Sequence, residues 1–224
     1  MKAAAVLAIG FFMFHSLLMG KKYTMLCLGD SYTIGEAVAE EERFPNQAAA
    51  LLQVKGISFN KPLIIAKTGW TTDELAEAIK QENPDGTFDF VTLLIGVNNQ
   101  YRQRDLDNYR TEFTQLLQTA INYAGGNKNH VFVISIPDWG VTPFVAQDAK
   151  KRTGEQIGDE IDRFNEVNKQ IAQSTGVHYI DITPHSRLAK TNTPLIAEDG
   201  LHPSGLMYKE WATRLVVGIE EVLR

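Results

Sequence analysis

The chain has one cysteine, Cys27, in 224 residues. That count excludes an internal disulfide and a cysteine-ligated zinc site. Set in a short apolar run, the thiol reads as a buried strand residue. Concentrated positive charge is also missing. Lys and Arg number 22 against 27 Asp and Glu, for a formal net charge of −5. The basic residues are scattered, which excludes a nucleic-acid-binding face. There is no Gly-x-Ser-x-Gly elbow, no Walker loop and no Gly-x-Gly-x-x-Gly turn. Repeats, low-complexity tracts and linkers are lacking, so nothing marks a second domain within 21–224, and the length suits one α/β domain.

Long apolar runs are absent except at the N-terminus. Residues 1–20 form a leader whose run from Ala3 to Met19 is broken only by His15 and Ser16. It has the character of a secretory signal or anchor, which implies export or attachment to a membrane. Against this, Leu18-Met19-Gly20 is a poor cleavage site and the first strand follows at once. The competing expectation is a mis-set start, with translation beginning at Met19 and a cytoplasmic product. Membrane contact is expected only if the run is genuine and uncleaved.

What remains alternates between strand and helix. Apolar stretches at 23–29, 62–69, 88–96, 130–137 and 177–182 read as strands. Helical segments are expected at 44–54, 71–80, 106–124, about 155–174 and about 204–223. Five strands separated by helices imply a mostly parallel sheet covered on both faces. Right-handed crossovers favour a doubly wound sheet of order 2-1-3-4-5.

A sheet of this kind carries its chemistry beyond the carboxyl ends of its strands. There the sequence places Gly29-Asp30-Ser31, then Gly69-Trp70, then Gly96-Val97-Asn98-Asn99. In order 2-1-3 these ends are neighbours. Ser31 alone reads as a helix cap with Asp30 favouring the helix dipole. In company it reads differently. The N–H of Ser31, the N–H of Gly69 and the amide of Asn98 are three donors able to hold an oxyanion. A serine nucleophile needs a base. His130 and His178 fall at strands and read as structural, while His185 follows the fifth strand and is a rival. His202, in "EDGLHPSG", is preceded three residues earlier by Asp199, so one loop supplies an imidazole and a carboxylate to orient it.

Four blocks, "GDSYT" (29–33), Gly69 in "KTGW", "GVNN" (96–99) and "DGLHP" (199–203), make the sequence resemble the SGNH or GDSL hydrolases. The resemblance implies a flavodoxin-like three-layer α/β/α sandwich and an esterase- or lipase-like activity on a small-molecule, lipid or sugar ester. It implies Ser31 as nucleophile, His202 as base, Asp199 as its orienting acid, and Ser31, Gly69 and Asn98 as the oxyanion hole. No metal or organic cofactor is called for. Asn99 stands where the family usually has Asp, which puts the hydrogen bonding behind the oxyanion hole in question. Trp70, Asn99, Tyr101, Trp139 and Phe144, with Arg102 and Arg104 nearby, are candidate groove residues. An acyltransferase using the same site and a non-catalytic carbohydrate- or lipid-binding module are the alternative readings.

Overall fold

Strand β1 (Met25–Gly29) is buried along its whole length. Such a strand needs cover on both faces and partners on both edges. It has them. Strands β2 (Leu63–Ala66) and β3 (Phe90–Leu94) pair with it in parallel, placing Cys27 opposite Ile64 on one side and Thr92 on the other. Strands β4 (Val131–Ile134) and β5 (His178–Ile180) extend the sheet in the order 2-1-3-4-5, every pair parallel. This computed structural model describes residues 21–224. The apolar leader, with His15 and the expectations attached to it, lies outside the described residues.

Helices cover both faces of the sheet. Helix α2 (Phe44–Val54) packs on α8 (Gly205–Leu223), where the Phe44 ring meets Trp211 and Tyr208, each 6.4 Å away between centroids. In the other layer α5 (Leu106–Tyr123) packs against both α3 (Thr72–Glu82) and α6 (Gly154–Thr175). The caps follow from the sequence. Thr153 Oγ1 accepts from the Gln156 N–H at 3.2 Å while Gln156 Oε1 accepts from the Thr153 N–H at 2.8 Å, a closed capping box. Gly176 ends α6 in the left-handed region. Among the described residues no helix is long and apolar enough to cross a membrane.

The long helices fall within a few residues of their expected spans, but the strands are shorter, most clearly at their carboxyl ends. β2 stops at Ala66 instead of Gly69, and β3 at Leu94 instead of Gly96. The residues beyond leave the sheet and enter turns and three short helices that carry no apolar period: α1 (Ser31–Ile34), α4 (Val97–Tyr101) and α7 (Thr183–Ser186). Gly96 makes one such turn possible. Its φ is +129°, and a Cβ there would lie 2.3 Å from the Tyr109 hydroxyl.

Candidate active site

The ends of β1, β2 and β3 bring their loops to one rim. Ser31, Gly69, Asn98 and His202 line a single cleft of about 170 Å³. Ser31 opens α1 and is 5% exposed. The first N–H groups of a helix have no acceptor within it, so the Ser31 N–H is available at the rim. Gly69 has φ +89°, and the space where its Cβ would stand is open, the nearest atom being Arg102 Nη2 at 3.8 Å. Its carbonyl is tied back by that same guanidinium at 2.7 Å. Asn98 Nδ2 donates to the Trp70 carbonyl at 2.9 Å, which fixes the amide's orientation and leaves its second N–H uncommitted.

His202 reaches the cleft from the loop before α8. That loop is pinned by the Ala197 N–H donating to the His202 carbonyl at 2.8 Å and by the Ser204 N–H donating to Leu195 at 2.9 Å. His202 Nδ1 lies 2.5 Å from Asp199 Oδ2. Asp199 Oδ1 also accepts from the N–H groups of Leu201 and His202, both at 2.9 Å. Burial works to raise the Asp199 carboxyl, but the His202 ring and the two N–H donors outweigh it and hold the group below the ordinary carboxylate range. A carboxylate accepts only, so Nδ1 carries the proton and Nε2 is left as the basic nitrogen. The ring stands edge-on to Tyr32 at 5.6 Å. Among the described residues no hydrogen bond joins Ser31 Oγ to His202; in unliganded sites such bonds commonly form only with substrate in place.

Asp30 is fully buried beside the serine. Its Oδ1 caps α1 by accepting from the Tyr32 N–H at 3.0 Å, and Oδ2 has no partner. Burial pushes the carboxyl up to about 7 against the opposing backbone N–H donors.

Among the described residues, the other three histidines stand apart from the cleft lining. His130 stacks on Phe90 at 4.8 Å and meets the Asp89 carbonyl, and His178 stacks on Phe132 at 4.7 Å. The rival His185 sits in α7, where burial lowers its ring pKa.

Three of the candidate groove residues, Tyr101, Trp139 and Phe144, line the cleft. Trp70 and Asn99 are not part of that lining. Trp70 contributes its main-chain carbonyl. Asn99 is fully buried and faces Thr72, with Nδ2 donating to Thr72 Oγ1 at 2.7 Å and Oδ1 accepting from the Thr72 N–H at 3.1 Å. The hydrogen bonding behind the rim is therefore complete with Asn in place of the usual Asp. Arg102 and Arg104 are likewise fasteners, pairing with Glu74 at 3.2 Å and Asp73 at 2.6 Å. Sequence reasoning passed over Val97 and Leu201, which add apolar lining next to Asn98 and His202. Their only signal was that adjacency.

Residues 27–210 match the GDSL-like lipase/acylhydrolase family. With the doubly wound sheet, that match defines the class of the protein: an α/β enzyme that hydrolyses carboxylic esters. More narrowly, the chain belongs to the GDSL-like lipase/acylhydrolase family. Comparison with curated proteins finds no match. Among solved structures, the psychrotrophic esterase EstA from Pseudoalteromonas sp. superposes with a TM-score of 0.63 at 16% identity, covering 90% of this chain and 99% of its own. A lipase/acylhydrolase from Enterococcus faecalis gives 0.64 at 19% identity, covering 89% and 96%. The acetylxylan esterase Axe2 from Geobacillus stearothermophilus gives 0.64 at 20% identity, covering 89% and 95%. At these identities the likeness speaks for the fold.

Proposed function

We propose that the protein hydrolyses carboxylic esters through an acyl-serine intermediate on Ser31. The observation that carries this reading is the convergence of Ser31, Gly69, Asn98 and His202 on one cleft, with Asp199 bonded to the far nitrogen of the imidazole. In this mechanism Nε2 of His202 takes the Ser31 proton as Oγ attacks the ester carbonyl. Asp199 holds the ring in the tautomer that makes this possible and stabilises the imidazolium that forms. The developing oxyanion lies among the N–H groups of Ser31 and Gly69 and the free amide proton of Asn98. His202 then gives its proton to the departing alcohol, and the same ring activates the water that cleaves the acyl-serine.

The test pairs turnover with labelling. Wild type is expected to hydrolyse p-nitrophenyl acetate and to be labelled by a fluorophosphonate on Ser31, seen by peptide mass. Ser31→Ala is expected to lose both while retaining its circular dichroism spectrum. Undiminished turnover in Ser31→Ala sinks the proposal.

A further inference from the structure

The cleft that holds Ser31 has an apolar side as well as a polar one. Its apolar side is formed by Val97, Tyr101, Trp139, Phe144 and Leu201. Trp139 is 2% exposed and is held from several directions. Its ring meets Tyr101 edge-on at 5.6 Å and Phe144 edge-on at 6.0 Å. Its indole N–H donates to Gln100 Oε1 at 2.8 Å, and Gln100 Nε2 passes the chain on to Glu160 Oε2 at 2.5 Å. Arg152 closes the cluster. Its Nη1 donates to the same Glu160 oxygen at 2.7 Å, while Nε and Nη2 fork onto Asp148 at 3.0 and 3.1 Å. The guanidinium lies 5.2 Å over the Trp139 ring and 5.8 Å over Tyr101.

This arrangement is costly. The Arg152 side chain is 6% exposed and that of Asp148 is 1% exposed. Burying such a pair gives little net stability, whereas breaking it leaves an uncompensated buried charge. What the pairing delivers is position: two aromatic rings set against a guanidinium whose N–H groups are engaged by Asp148 and Glu160. Behind the Trp139 ring, then, stand paired charges in place of further apolar lining. The cleft volume, about 170 Å³, is well below the roughly 300–1,000 Å³ of pockets that take drug-sized ligands.

A small pocket lined by fixed aromatic rings suits the part of an ester that stays. In the acyl-serine route the acyl group remains attached through both half-reactions. The alcohol must depart and water must enter, so that side needs an open path. We propose that the apolar end of the cleft is a short-acyl site closed by Trp139, and that Arg152 is the positioning residue holding Trp139 and Tyr101 in place. This rests on the acyl-serine reading above.

The experiment is a kcat/KM series on p-nitrophenyl acetate, butyrate and octanoate, with a parallel series of acetate esters of increasing alcohol size. Fluorophosphonate labelling of Ser31 is run alongside. Wild type is expected to favour acetate and butyrate over octanoate by about tenfold or more, a discrimination within reach of an apolar pocket. Trp139→Ala is expected to erase that preference, and Phe144→Ala to reduce it. Arg152→Met is expected to raise KM for the short acyl esters and to flatten the acyl-length profile. A merely structural role would lower turnover of every ester alike. Wild type that turns over octanoate as fast as butyrate overturns the proposal, even where Trp139→Ala does not fold. So does a Trp139→Ala effect confined to the alcohol series. With Ser31 labelled, either result removes the short-acyl site and leaves the acyl-serine reading standing; an unlabelled, inactive wild type removes both.

Discussion

Asn99 grips Thr72 at two points, donating to its hydroxyl and accepting from its N–H, and the Thr72 hydroxyl donates onward to Glu112. One residue earlier, Asn98 holds the Trp70 carbonyl. Consecutive residues of α4 thus fasten the loop that carries Gly69. Asn99→Ala leaves the buried Thr72 N–H unpaired, at a cost of about 1–3 kcal/mol. Because the loop bearing a candidate oxyanion donor is loosened, kcat is expected to fall more than KM rises. Urea unfolding and steady-state kinetics on a short ester check the two effects.

Asp199→Asn replaces an acceptor of the His202 ring proton with a group that can present N–H instead. The wrong tautomer then becomes available, and kcat is expected to drop on the order of 10⁴-fold. The wild-type carboxyl, held below its ordinary range, adds stability that is present above the usual carboxylate pKa. That contribution is lost as pH falls through the lowered value. The acid limb of a urea-midpoint profile is therefore expected to be shallower in Asp199→Asn.

Asp30 titrates with the opposite sign. Its carboxyl is raised to about 7 by burial, so the folded chain holds a proton there that the unfolded chain has released. Stability from this group is full below the unfolded value, about 3.9. It declines as pH rises and is gone above pH 7. Asp30→Asn keeps an acceptor for the Tyr32 N–H without the titration. Its unfolding midpoint is expected to fall less than that of wild type between pH 4 and pH 7.5, measured at constant ionic strength.

Phe44→Ala tests the fold without touching the cleft. The ring is fully buried between α2 and α8, against Tyr208 and Trp211. Its loss is expected to cost about 3–5 kcal/mol. Chemical denaturation gives the cost, and the kcat of the remaining folded fraction is expected to be close to that of wild type.

The strand order and the long helices were legible because each is a run with a period. The continuous apolar stretch of β1 and the spaced Tyr109, Phe113, Leu116 and Leu117 of α5 require no knowledge of neighbours. The rim was legible in part, because Ser31, Gly69 and Asn98 each follow an apolar run. What did not show was direction. Asn98 and Asn99 are adjacent and chemically identical, yet one lines the cleft and the other turns to Thr72, since successive residues of a helix face different ways. The Arg152 cluster was invisible for another reason. Gln100, Trp139, Asp148 and Glu160 come from separate polar segments that only the folded chain brings together.

Cys27 sits at the middle of β1, locked between Ile64 and Thr92, and burial pushes its thiol up to about 12. A strand side chain points to a face of the sheet, so a disulfide-exchange reagent will find no partner until the helix layer over that face of β1 opens. With no second thiol in the sequence to blur the signal, the rate of thiol capture becomes a stopwatch for the uncovering of β1. That is the same strand that ends two residues before Ser31.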